Sequence, residues 1–143
     1  MLALGARDAN SGSNFMISDI DEKWDTIKSL TKSGHRMVMT TIGPFQETRP
    51  SDSYNLPFIL CYSLLDEVLS ELKERGTFQC DSWMLGRKME ASKNRLGWLD
   101  YSLVNEGKNK RNGLAHGGIM LNEEECRKYI SAVEVELRAW GGL

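Results

Sequence analysis

The sequence predicts an all-α fold, a four- to five-helix up-and-down bundle. Apolar residues recur at helical spacing in several separate stretches, and only three prolines interrupt 143 residues. No two runs alternate with period two around a hairpin dipeptide, so strands are not expected. Apolar residues make up 41% of the chain and charged residues of both signs 27%, the balance of a folded soluble domain rather than of a disordered or fibrous chain. At this length one domain can bury a core without disulfides, metals or an obligatory partner.

Residues 1–16 are small and polar, with Gly5-Ala6-Arg7 and Asn10-Ser11-Gly12-Ser13-Asn14, and read as a flexible N-terminal tail or expression scar, with Met16 a candidate natural start. A single helical domain is expected over 17–143. Its first helix is capped by Ser18 or Asp19, carries Asp21 and Glu22 in its first turn, and places Ile20, Trp24, Ile27 and Leu30 or Thr31 on one face. Gly34 ends it, or Met37, Val38 and Met39 continue it after a bend as far as the stop at Gly43-Pro44.

Over 55–75 a broad apolar stripe of Leu56, Ile59, Leu60, Leu64, Leu65, Val68, Leu69 and Leu72 opposes Asp66, Glu67, Glu71, Lys73 and Glu74, and Gly76 closes the helix. Asp81 can cap a third element in which Leu85, Met89, Ser92, Leu96, Leu99 and Leu103 form a continuous stripe across Gly86 and Gly97. Asn122, followed by Glu123, Glu124 and Glu125, opens a last helix with Cys126, Tyr129 or Ile130, Val133, Leu137 and Trp140 on one face, ended by Gly141-Gly142.

A net charge of -2 gives no global attraction for nucleic acid, so any phosphate contact must come from a local basic cluster. Cys61, Cys80 and Cys126 are odd in number and widely spaced, which argues for reduced thiols in a cytoplasmic protein and against a zinc site; no metal or other cofactor is expected. No stretch has the roughly 20 apolar residues of a membrane span, and no signal peptide is recognisable. No glycine-rich phosphate loop or internal repeat is present. The four tryptophans, Trp24, Trp83, Trp98 and Trp140, read as core or interface anchors rather than as base-stacking platforms.

Between the third element and the last helix, one segment is unlike its surroundings: residues 106–118 are polar, basic at the centre, and hold His116, one of two histidines in the chain. If Arg111 to His116 is helical, Asn112 and His116 share a face and Leu114 points away to anchor the turn in the core. Arg111 is then offset from His116 by about 140°, so its side chain must curl, or a second copy must complete the site. Such a set suits metal-independent cleavage of RNA. An imidazole, with an unperturbed pKa of about 6.5, can take a proton from a ribose 2′-OH or give one to the leaving oxygen. Arg111 can clamp the scissile phosphate, Asn112 can fix the imidazole or a phosphate oxygen, and Lys108 and Lys110 can attract the backbone irrespective of sequence. A required 2′-OH selects RNA over DNA.

The run Arg111-Asn112-Gly113-Leu114-Ala115-His116 resembles the Arg, polar residue, three more, His motif of HEPN-domain ribonucleases. The resemblance implies a bundle of HEPN type and a homodimer whose two motifs face each other across one cleft. It also implies products with 2′,3′-cyclic phosphate and 5′-hydroxyl ends, and a role as a toxin or defence effector paired with an antitoxin or other regulatory protein. In the branch where a Tyr two positions after the His receives nucleotides, this chain has Gly118, so that modification is not expected. Taken without the resemblance, His116 reads as a surface histidine at a helix end, and Lys108 and Lys110 as a solvated last turn that complements the helix dipole. His35 has no nameable partner and is left outside the site. A carboxylate on the second helix, Asp66 or Glu67, can orient His116 if that helix packs beside the motif. Two alternatives stand beside the ribonuclease: a non-catalytic HEPN module that binds RNA, a nucleotide or a protein partner, and a helical dimerisation or adaptor domain in which Arg111, Asn112 and His116 point apart.

Overall fold

The computed structural model describes residues 19–32, 35–48 and 51–143; the N-terminal tail, Ser18 and Gly34 lie outside them. Five helices form the body: α1 (Ile20–Leu30), α2 (Asn55–Glu74), α3 (Leu85–Ser92), α4 (Tyr101–Gly117) and α5 (Glu123–Ala139). A one-turn 3-10 helix, Ser51–Tyr54, leads into α2. Between α1 and α2 the chain forms an antiparallel hairpin of β1 (His35–Thr40) and β2 (Gly43–Thr48). Helices dominate as the periodicity predicts.

The hairpin corrects the expectation of no strands and of a first helix continuing through Met37, Val38 and Met39. Its register pairs His35 with Thr48 and Thr40 with Gly43, leaving Thr41 and Ile42 as a two-residue loop. That loop lacks the Asn-Gly or Asp-Gly dipeptide by which such a turn is read. Gly43-Pro44 does not stop a helix but opens β2, where Gly43 adopts φ 134° and a proline is tolerated at the beginning of a strand.

Helix α1 buries Ile20, Trp24 and Ile27 as expected, with Thr31 at its C-cap. Asp19 occupies the N-cap position in a left-handed conformation, but its side chain makes no capping bond. Helix α2 packs against all four other helices. Its first two turns present a different face from the predicted one: Phe58, Cys61 and Tyr62 are fully buried, while Leu56 and Ile59 are exposed. The apolar stripe wraps this helix so broadly that leucine spacing alone does not set its rotation. Beyond it, Leu64, Leu65, Val68, Leu69 and Leu72 are buried as predicted. Gly76, at φ 83°, closes α2: its N–H reaches Lys73 O and that of Thr77 reaches Leu72 O, the paired bonds of a Schellman ending.

The predicted third element is two helices. α3 starts after Met84 rather than at Asp81, and the chain turns between Ser92 and Tyr101, with Gly97 at φ 64°. Leu96, Leu99 and Leu103 keep helical spacing across this break, which made the stripe look continuous, yet Leu99 is 64% exposed. The turn is held by side chains. Trp98 Nε1 donates to Ser92 Oγ (3.1 Å), and its ring meets Trp140 and Tyr101 edge-on at 4.7 and 5.2 Å between centroids. The fully buried Glu136 carboxylate of α5 accepts from Leu99 N (2.8 Å) and Asp100 N (2.7 Å), and Asp100 in turn caps Leu103 N. A buried carboxylate is tolerable here because two backbone donors at the positive end of α4 meet it. Helix α5 begins with the predicted acidic signal as a full capping box between Asn122 and Glu125.

Helix α4 crosses the α2–α5 pair at Gly107, where side chains leave no room for a Cβ. An added Cβ would lie 2.1 Å from Tyr62 Oη and 2.8 Å from Tyr129 Cδ1. Tyr62 donates to Val104 O (2.8 Å) and Tyr129 to Glu106 Oε2 (2.6 Å), so both phenols bind α4 in the turn just before the crossing. Burial raises both hydroxyls well above the usual tyrosine range, so they remain donors.

Alanine in a helix interior normally stabilises by about 0.5–1 kcal/mol relative to glycine. Two glycines of α4 should therefore respond with opposite sign. Gly113→Ala, with nothing within 4 Å of the new Cβ, should raise the unfolding free energy measured by urea denaturation by that increment. Gly107→Ala should lower it by about 2–3 kcal/mol, because Tyr62 and Tyr129 must move.

Candidate functional site

The Arg111–His116 segment lies in the last turns of α4, not in a connection between helices. Three constraints place it. Asp100 and Glu136 fix the start of α4, Gly107 sets its closest approach, and the far end is tied down beyond Gly118, which ends the helix at φ 67°. There Asn55 Nδ2 donates to Leu121 O (2.8 Å) while Leu121 N donates to Asn55 Oδ1 (3.0 Å), a buried two-way clamp between α2 and the segment that follows α4. Leu114 is partly buried against the core, as expected of the residue that anchors the turn.

With α4 so placed, Lys108, Arg111, Asn112 and His116 line one open cleft of about 510 Å³. Its facing wall is the entry to α3, from Trp83 and Met84 through Arg87 to Glu90, and Asp66 of α2 completes it. Despite their helical offset, Arg111 and His116 line the same cleft of one chain. Lys110 is exposed and does not line the cleft. Lys108 lies across Gly86, where a Cβ would be 3.1 Å from its Nζ.

The electrostatics are set by which charges are already matched. Asp66 pairs with Lys88, whose Nζ lies 2.6 Å from Asp66 Oδ1 and 2.6 Å from Ser70 Oγ while the lysine itself is 3% exposed. Glu67, the other carboxylate considered for orienting His116, faces α1 and binds Lys23 at 2.9 Å. Among the described residues, Arg87, Lys108 and Arg111 have no carboxylate partner. Glu90 is thus the one lining carboxylate without an ion pair among them, and the cleft carries a surplus of positive charge. Met84 caps α3 without a side-chain bond, so the partial positive charge of that helix start adds to it.

Residues that the sequence reading missed enter here. Arg87 and Lys88 sit on the predicted third element without any spacing signal to link them to 111–116. Trp83 is not a core anchor: it is 81% exposed, whereas Trp24 is buried and Trp98 and Trp140 pack on each other. The thiols take no part in the cleft, and burial raises that of Cys126 to about 11. Among the described residues, no three His, Cys, Asp or Glu side chains are grouped to hold a metal ion, and no helix is long and apolar enough to cross a membrane. Comparison with protein-family models, with curated proteins and with solved structures finds no match.

Removal of either member of the Lys88–Asp66 pair should have unequal consequences. Asp66→Ala strands an enclosed ammonium and is expected to cost about 3 kcal/mol in chemical denaturation. Lys88→Met leaves a carboxylate whose side chain is 37% exposed and can be hydrated, and should cost about 1 kcal/mol or less.

Proposed function

We propose that this chain is a metal-independent endoribonuclease of HEPN type, with His116 as proton carrier, Arg111 as phosphate clamp and Asn112 as the residue that positions imidazole or phosphate. The observation that supports this reading is the convergence of the three side chains, with Lys108, on one open and net cationic cleft. In the reaction a ribose 2′-oxygen attacks the adjacent phosphorus and loses its proton to a base. The P–O5′ bond breaks, and the 5′-oxygen takes up a proton, leaving a 2′,3′-cyclic phosphate and a 5′-hydroxyl. Arg111 offsets the charge that grows on the phosphoryl oxygens. In a homodimer with facing clefts, one His116 serves as base and the other as acid. A toxin or defence effector held in check by an antitoxin or regulatory protein fits an activity of this kind.

A second reading, RNA binding without turnover, draws on a specific feature. Among the described residues, the exposed His116 makes no hydrogen bond that would orient its ring. The adaptor reading is disfavoured, because it requires Arg111, Asn112 and His116 to point apart.

In EDTA, the wild type is expected to cleave RNA, with His116→Ala and Arg111→Ala each slower by about 100-fold or more. Rates followed on a labelled single-stranded RNA decide between the readings. Equal cleavage by all three proteins removes the mechanism, and tight binding without products favours the non-catalytic module.

A further inference from the structure

The exposed Trp83 sits where no packing role explains it. Of the four tryptophans, the other three are built into the body: Trp24 is 3% exposed, and Trp98 and Trp140 meet edge-on. Trp83 is 81% exposed, next to Met84 at 57%, and among the described residues its ring has neither an aromatic neighbour nor a hydrogen bond. Its backbone is nevertheless held on both sides. Phe78 is buried before it, Met84 N donates to Ser82 Oγ (3.1 Å), and Leu85 enters the core immediately after it as α3 begins. The fold therefore presents the indole at the rim of the cleft.

The same cleft is lined by Lys108, Arg111, Asn112 and His116 of α4 and by Arg87 of α3. Asp66 is matched by Lys88, so Arg87, Lys108 and Arg111 face a single unmatched carboxylate, Glu90. Cations that follow a phosphodiester backbone, next to an aromatic face that accepts any base, are the two components of single-strand recognition. A cleft of about 510 Å³ falls within the range of sites that enclose ligands of nucleotide size. In a duplex the base faces are stacked on one another and cannot reach an indole at the rim. An apolar protein partner would use Trp83 and Met84 but gains nothing from three unmatched cations behind them.

We propose that Trp83 is the stacking platform for an unpaired nucleobase next to the phosphate held by Arg111, which makes single-stranded RNA the substrate class of this cleft. This inference rests on the ribonuclease reading for the identity of the ligand, but it concerns binding and not turnover.

The test uses the full chain and a short fluorescein-labelled 2′-O-methyl RNA, which lacks the attacking hydroxyl, as a single strand and as a duplex. Trp83→Ala should weaken single-strand binding about 5- to 150-fold, and Trp83→Phe should retain most of the affinity. The salt dependence should be unchanged by Trp83→Ala and reduced by about one unit of slope by Arg111→Ala. Duplex affinity should be the same with and without the indole. Unchanged single-strand binding by Trp83→Ala, or no binding by the wild type, overturns the proposal. So does a loss that tracks dissociation of a dimer in sedimentation, which would make Trp83 an interface between copies. If Trp83-dependent binding holds but unmodified RNA is never cleaved, the ribonuclease reading fails and the stacking site stands.

Discussion

The candidate site depends on the seating of α4 over Tyr62 and Tyr129 at Gly107. The absence of a side chain at this one position lets the helix approach until the two phenols bond to it in the turn just before the crossing. Because helix α4 is a rigid rod, this contact, the Glu136 carboxylate at its start and the Asn55–Leu121 clamp beyond its end together determine where the last two turns project. Those turns carry Arg111, Asn112 and His116. The core thereby sets the geometry of a surface cleft about two turns away from the contact that fixes it.

The second wall follows from a different balance. Lys88 is buried where α3 meets α2, and its charge is tolerable because Asp66 and Ser70 meet it at 2.6 Å. The pair ties α3 to α2 and neutralises one of the two carboxylates that line the cleft. The positive surplus on Arg87, Lys108 and Arg111 thus arises from a structural ion pair as much as from the basic residues themselves.

Much of this was legible in the sequence where a local signal and a tertiary outcome agree. The capping box at Asn122, the glycine stop at Gly76 and the lower stripe of α2 are examples in which short-range chemistry specifies the element. The helical spacing that placed Asn112 and His116 on one face was likewise available, because it needs only the helix. The failures share a cause. The break between α3 and α4 is made by Glu136, a residue more than thirty positions away, and the rotation of the first turns of α2 is decided by what Phe58 and Tyr62 meet on α5 and α4. The hairpin forms around Thr41 and Ile42, whose types give no turn signature. Arg87 and Trp83 come to the motif only through packing of α3 on α2, and Lys108 lies in the space left by Gly86 at the α3 entry.

The central claim is that the cleft of α4 breaks RNA through the ribose 2′-oxygen with His116 moving the proton. An oligonucleotide of 2′-O-methyl residues with a single internal ribonucleotide tests it most directly, by analysis of the product ends after incubation in EDTA. The account predicts scission only on the 3′ side of the ribonucleotide, with a 2′,3′-cyclic phosphate on one product and a 5′-hydroxyl on the other, all lost in His116→Ala. Scission at residues without a free 2′-OH, or 5′-phosphate ends, would contradict it.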